Sequence, residues 1–173
     1  MAFDLGPCVA PHPSTLAAAL LAYDATIATN ERSGLTISAL LGDGTDGTLD
    51  NRLKPSEYIT HVDLPAPLAR ERAGYHRAIS RAYAEWPLVE VVARAVIAGG
   101  RFEFIRITAG GVAPVPLRFI EAEQAMKSGT SGEADIRGAA ALALKNAKPL
   151  SGTAYKLRLL AQEITDVVQS LAK

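Results

Sequence analysis

A single cysteine, Cys8, is all the thiol chemistry the sequence carries. It excludes an internal disulfide framework and a protein-held iron–sulfur set, and it fits a reducing compartment. An excess of one charge is missing as well, since 18 Lys and Arg residues balance 18 Asp and Glu. Without a basic stripe, dedicated nucleic-acid binding is not expected. Without single-sign runs, neither is an acidic tail or a polybasic membrane anchor. Long apolar runs are absent too. The longest, Leu16 to Tyr23, falls far short of the roughly 20 residues that cross a bilayer. Met1-Ala2-Phe3-Asp4 lacks the positive n-region of a secretory signal, so the cytoplasm is the expected location. No G-x-x-x-x-G-K-[ST] string occurs, and Gly99-Gly100 does not open a helix, so no phosphate loop is legible. What is there is ordinary globular composition over 173 residues, 49% hydrophobic and 21% charged. That is enough for one large domain or two small ones.

Helical and strand patterns alternate along the chain. Ser14 can cap a helix over residues 15–23, with Leu16, Ala19 or Leu20, and Tyr23 on the face expected to pack on a sheet. Ala25 to Thr29 alternates as a strand, Asn30 to Gly34 is a turn, and Leu35 to Ser38 is expected to return as the second arm of a hairpin. Gly42 to Gly47 reads as a solvated turn. Asp43, Asp46 and Asp50 lack the alternate spacing and the distal Glu of a calcium loop. Glu57 to Leu64 alternates as a further strand, and Pro65-Ala66-Pro67 then stops it and marks a boundary. Beyond it, Tyr75 to Ser80 and the β-branched run Leu88 to Ile97 read as strands. Gly99-Gly100 joins the second of these to Arg101–Ile107 in a two-residue hairpin. Arg101, Glu103 and Arg106 mark a polar face, and helices over 121–127, 133–145 and 153–171 are expected to cover the apolar one. The fold class is α+β: a sheet-plus-helix piece over residues 1–65, then an antiparallel sheet backed by C-terminal helices over 66–173.

Three places could carry chemistry. Cys8 and His12 offer two metal ligands where zinc needs three or four, and no third group marks them as a nucleophilic pair. Cys8 then reads as a small buried hydrophobe. Tyr75-His76-Arg77, with Arg81, Tyr83, Glu85 and Trp86, gathers aromatics, an imidazole and guanidiniums beside the boundary, where pockets form. The competing reading is a strand with one charged face and Trp86 as a core plug. Gly110-Gly111-Val112-Ala113-Pro114-Val115-Pro116-Leu117-Arg118 forces a tight, stiff bend. Such a bend either brings backbone close to a ligand or crosses from the sheet to the helices.

Four strings change weight when taken in order. His12-Pro13-Ser14 through Leu20, followed by Asp24-Ala25, is similar to the HPSDxAxAL…DA segment in the flavin subunits of molybdenum hydroxylases. This is the family of xanthine dehydrogenase, carbon monoxide dehydrogenase and aldehyde oxidoreductase. Pro55 to Pro65 resembles the family's PxExIxxVxLP segment, and Gly110 to Arg118 resembles its GGVAPxPxR turn. Ala147 to Lys156 resembles the A.PLxxxxYK lead-in to its last helix. The nearest likeness is to the periplasmic aldehyde-oxidoreductase type.

The resemblance implies that residues 1–65 correspond to the second half of an FAD-binding domain and 66–173 to the flavoprotein C-terminal α+β domain. The family's glycine-rich diphosphate loops lie upstream of everything in this sequence. The chain is therefore expected to act as one piece of a flavin subunit. The implied cofactor is FAD, and the implied partners are a molybdenum-cofactor subunit and an Fe–S subunit of the same complex. Thr15 stands where members often have an Asp near the flavin nucleotide. Thr60 lies on the strand whose backbone approaches the ring. His76, after Tyr75, replaces a frequent Lys beside the isoalloxazine, and Arg81 to Trp86 corresponds to the segment passing the ring's reactive face. The alternative is a non-catalytic interaction module that docks on partner chains or forms a homo-oligomer. A third reading, a hydrolase using Cys8 or His12, has no further motif behind it.

Overall fold

The computed structural model describes residues 1–80 and 86–173. The first part of the chain forms α1 (Thr15–Ala22), β1 (Thr26–Thr29), β2 (Leu35–Thr36), α2 (Ile37–Leu41) and β3 (Ile59–Asp63). The second forms β4 (Arg72–Ala78), β5 (Val89–Ala98), β6 (Arg101–Gly110), β7 (Leu117–Arg118), α3 (Ile120–Ser128), α4 (Glu133–Leu142) and α5 (Tyr155–Ala172). Two antiparallel sheets result, ordered β2-β1-β3 and β4-β5-β6-β7. The architecture is α+β, as the patterning implies.

The β5–β6 hairpin organises the larger sheet. Gly99 and Gly100 both take positive φ, 54° and 71°, which a two-residue turn of the right twist requires and which side chains with a Cβ resist. Val89, Val91, Ala93 and Ala95 point to one face and are buried against Leu160, Ile164, Val167, Val168 and Leu171 of α5. Those α5 positions recur at helical spacing, so one stripe of the helix meets one face of the strand. α3 packs on β6, and α4 packs on α3 and α5. Lys156, in the first turn of α5, is buried and donates to the carbonyls of Leu88 (2.8 Å) and Gly111 (2.7 Å). It pins the helix to the start of β5 and to the turn after β6, and burial pushes its ammonium group below the ordinary lysine range.

The opposite face of β5 is also buried, contrary to a sheet covered on one side only. Glu90, Val92, Arg94 and Val96 alternate there under α1, which runs parallel to the strand. Glu90 receives the N-terminal end of α1 through the Thr15 hydroxyl, and Arg94 donates to the Ala22 carbonyl at its C-terminal end. Four residues of strand span about 13 Å, and the eight residues of α1 span about 12 Å. An acid therefore meets the positive end of the helix and a base meets the negative end. The face that α1 offers differs in part from the expected one. Ala19 packs there and Tyr23 stacks on Arg94 as the pattern implies, but Ala18 and Ala22 are the residues buried against Val92, while Leu16 is 67% exposed. Small side chains let the helix lie close enough for Thr108 Oγ1 to donate to the Ala18 carbonyl at 2.8 Å. Leu20 and Leu21 turn instead toward Ile27, Ile37 and Leu40 of the smaller sheet and α2.

A second correction concerns residues 35–41. The expected hairpin arm stops at Thr36, whose hydroxyl accepts from the Ala39 N–H and starts α2. Ile37 and Leu40 then share a face and cover β1, a burial that a strand would have split between two faces. Residues 2, 3 and 12 return to the bend after β6. Ala2 N–H and Phe3 N–H donate to the Val112 carbonyl, His12 N–H donates to Ala113, and Gly111 N–H donates to His12. The His-Pro-Ser segment and the Gly-Gly-Val-Ala-Pro bend are thus one backbone-paired unit.

Just before β3, Glu57 is buried and bound by Arg32 (2.7 and 2.8 Å), the Lys54 N–H and the Thr29 hydroxyl. The Arg32 guanidinium first, then those two donors, hold its carboxyl down to about 2. A folded value below the unfolded one contributes stability above the unfolded pKa that is lost as pH falls toward the folded one. Urea denaturation is expected to show stability falling from about pH 5 to about pH 2, with Glu57→Gln removing part of that slope. An unchanged slope in the variant would contradict the assignment.

Candidate functional site

Thr15 and Tyr75 meet on Glu90. Thr15, at the start of α1, donates its hydroxyl to Glu90 Oε2 at 2.5 Å, and the Tyr75 phenol donates to the same oxygen at 3.1 Å. The start of α1 is fixed locally, since Ser14 Oγ accepts from the Ala17 N–H and Ser14 N–H donates to His12 Nδ1. Tyr75 belongs to β4, an edge strand, and opposes Val92 in the ladder, so it shares the α1 face with Glu90. Tyr75 is 42% exposed, while its hydroxyl reaches the carboxylate of Glu90, a residue with no exposed surface. Burial pushes the Tyr75 phenol above its ordinary range; the Thr15 hydroxyl opposes this and the Glu90 charge adds to it.

The other expected site residues lie elsewhere. His76 opposes Val91 and therefore points to the α5 face, away from Tyr75. There its Nδ1 stands 3.8 Å from Glu163, whose carboxyl is pushed up by burial and held back by His76. Thr60 belongs to β3 in the other sheet, where its hydroxyl donates to the Ala28 carbonyl at 3.1 Å. Trp86 is 67% exposed and is not a core plug. Arg81, Tyr83 and Glu85 lie outside the described residues. The structure thus joins Thr15 to Tyr75 and separates them from His76 and Thr60.

Glu90 is the residue that sequence reasoning passed over. Its signal was available: one acid inside the otherwise apolar run Leu88-Val89-Glu90-Val91-Val92, with Arg94 four residues on. Such a pair on a strand buried on both faces has to meet partners from a covering element.

Aromatic and apolar side chains are exposed along the edges of both sheets. Tyr58, Ile59, Val62 and Leu64 flank or form β3, and Tyr75 and Trp86 lie on or after β4. Among the described residues, concavities lie apart from Tyr75. A groove of about 820 Å³ runs between α1, α2 and β7, lined by Leu21, Ile37, Arg52, Val115 and Arg118 among others. A second, of about 400 Å³, is bordered by Cys8, His12, Ser14, Asp50 and Arg52. Burial pushes the His12 imidazole below its ordinary value, with Asp50 acting against it. Among the described residues, no helix is long and apolar enough to cross a membrane.

The fold is an antiparallel four-stranded sheet backed by three helices and joined to a smaller antiparallel sheet-plus-helix piece. Over 90% of this chain, the fold overlays carbon monoxide dehydrogenase from Hydrogenophaga pseudoflava with a TM-score of 0.78 at 20% identity, covering 55% of that chain. Over 94% of it, the fold overlays quinoline 2-oxidoreductase from Pseudomonas putida 86 with a TM-score of 0.80 at 20% identity, covering 57% of that chain. The chain belongs to the CO dehydrogenase flavoprotein C-terminal domain family, whose sequence pattern matches residues 74–170. It is also 30% identical over 166 residues to the aldehyde oxidoreductase FAD-binding subunit PaoB of Escherichia coli (strain K12). That alignment takes in 93% of this chain and 49% of the relative, so the chain spans about half the length of the relative it matches.

Proposed function

We propose that this chain forms part of the FAD-binding subunit of a molybdenum hydroxylase and helps to place the flavin that passes electrons from Fe–S clusters to an acceptor. The observation that carries this reading is the identity to an FAD-binding subunit along nearly the whole chain. Its partners on this reading are a molybdenum-cofactor subunit and an Fe–S subunit, and the cytoplasm is its location. With Cys8 as the sole thiol, the clusters belong to a partner. Residues 1–65 would serve the cofactor domain and 66–173 the C-terminal domain, with α1 lying across both.

The exposed surfaces suit one part of FAD. Tyr58, Tyr75 and Trp86, with Ile59 and Val62, present the aromatic and apolar contact that a planar isoalloxazine takes. The Thr60 and His61 side chains, 3.2 Å apart on β3, add hydrogen-bonding groups. Bound FAD supplies the redox chemistry, and the protein supplies position and electrostatics. Thr15 and Tyr75, tied through Glu90, would hold one side of the site rigid. His76 would act from the opposite face of β4.

Gel filtration after incubation with FAD tests the reading. Flavin absorbance is expected to travel with the protein, more strongly when the molybdenum and Fe–S subunits are present. Protein that emerges without flavin and without those subunits would overturn the proposal.

A further inference from the structure

Glu90 is placed where a fold has little use for a charge. Its side chain has no exposed surface, and its strand neighbours Val89, Val91 and Val92 are buried hydrophobes. Arg94, two positions further along the same face, has Glu71 as its counter-ion. Glu90 has none among the described residues. Oε2 accepts two hydroxyls, and Oε1 has no hydrogen-bond partner among the described residues. Gly110, its neighbour across the ladder, leaves the carboxylate room that a Cβ would take. A leucine would fill such a space without the desolvation cost of a buried carboxylate. What leucine could not do is accept hydrogen bonds from two elements at once.

Those two elements differ in kind. Thr15 starts a helix packed on the sheet, whereas Tyr75 stands on the strand that is the sheet's edge among the described residues, and it is partly exposed. With the phenol oxygen held at one end, the ring loses its rotational freedom and keeps one orientation relative to α1. Side-chain freedom given up before a ligand arrives does not have to be lost on binding.

We propose that Glu90 is a positioning residue of the flavin site, fixing Tyr75 as the aromatic surface against which the isoalloxazine ring packs. This rests on the flavin reading above and extends it to a residue that touches no flavin itself.

The test titrates FAD, and separately riboflavin, which has the ring without the diphosphate, into the chain while following flavin fluorescence and the position of the visible bands. The variants are Tyr75→Leu, Glu90→Leu and Glu90→Gln. Wild-type protein is expected to quench the flavin. Tyr75→Leu should bind about tenfold more weakly, the worth of one aromatic contact. Glu90→Leu should approach the same loss with a displaced visible band, and Glu90→Gln, which keeps an acceptor, should recover most of the affinity and the band position. A role in stability alone predicts a different pattern: Glu90→Leu changes the melting temperature while quenching and band position stay as in wild type. That result overturns the proposal and leaves the flavin reading intact. Wild-type protein that quenches neither ligand also overturns the proposal, while travel of the chain with the molybdenum and Fe–S subunits on gel filtration decides the flavin-subunit reading separately.

Discussion

Arg94→Met is expected to lower stability by about 3–5 kcal/mol, because it strands a buried carboxylate. Arg94 lies almost wholly inside the molecule, paired with Glu71, donating to the Ala22 carbonyl at 2.9 Å and stacked 4.1 Å from the centre of the Tyr23 ring. The Glu71 side chain is largely enclosed as well, and its carboxyl is held below the ordinary range first by Arg94 and then by the Leu68 N–H. Methionine fills most of the space but leaves Glu71 without its cation and the end of α1 without its donor. In a domain of this size each kcal/mol shifts the melting temperature by about 2–4 °C, so a fall of about 10 °C is expected. The double variant Glu71→Met/Arg94→Met should recover much of the loss, since apolar replacement of a whole buried pair is often close to neutral. A single variant within about 1 kcal/mol of wild type would show that the pair contributes only what a surface ion pair does.

Glu123→Leu should cost a similar amount, about 3–4 kcal/mol, through broken buried hydrogen bonds as much as through charge. Glu123 is buried in the first turn of α3, where its carboxylate faces the positive helix end. It binds the Arg118 guanidinium at 2.8 and 2.9 Å, stands 3.8 Å from Arg106 and accepts the buried Ile107 N–H at 3.0 Å. Asp24, at the end of the α1 segment, joins the same two arginines. The cluster therefore ties α1 to β6, β7 and α3 together. Leucine leaves the Ile107 N–H without an acceptor inside the sheet and two guanidiniums with Asp24 alone. Glu123→Gln can still accept the N–H and should lose only about 1–2 kcal/mol. Equal losses in the two variants, measured by chemical denaturation, would rule out the backbone acceptor as the larger contribution.

The two predictions concern residues whose importance was unequally legible. Gly99-Gly100 between alternating arms announced the β5–β6 hairpin, because a two-residue turn has few other solutions. The stripe through Leu160, Ile164, Val167 and Leu171 announced α5. Thr36 and Ile37 misled, since a β-branched pair reads as strand until a side-chain cap is seen to start a helix there. α1 misled differently. Of the face expected from Leu16, Ala19 or Leu20, and Tyr23, Leu16 is displaced, because the larger sheet beneath already carries Val92, Thr108 and Arg94, which leave depth for alanine at the contact. Of the two readings of Trp86, the core plug fails, because size says nothing about which large side chains end up exposed.

By itself the sequence determined the class of fold, the order of most elements and, through four ordered motifs, the family. Each of these rests on local periodicity or on contiguous strings, and both survive without knowledge of what lies across the molecule. Tertiary structure alone decided that Tyr75 and His76, adjacent in sequence, serve opposite faces of a strand. It also decided that Thr15 and Tyr75, sixty residues apart, share one oxygen of Glu90. The reason is geometric: alternation along a strand separates neighbours, and a buried carboxylate gathers whatever donors the packing of separate elements brings within reach.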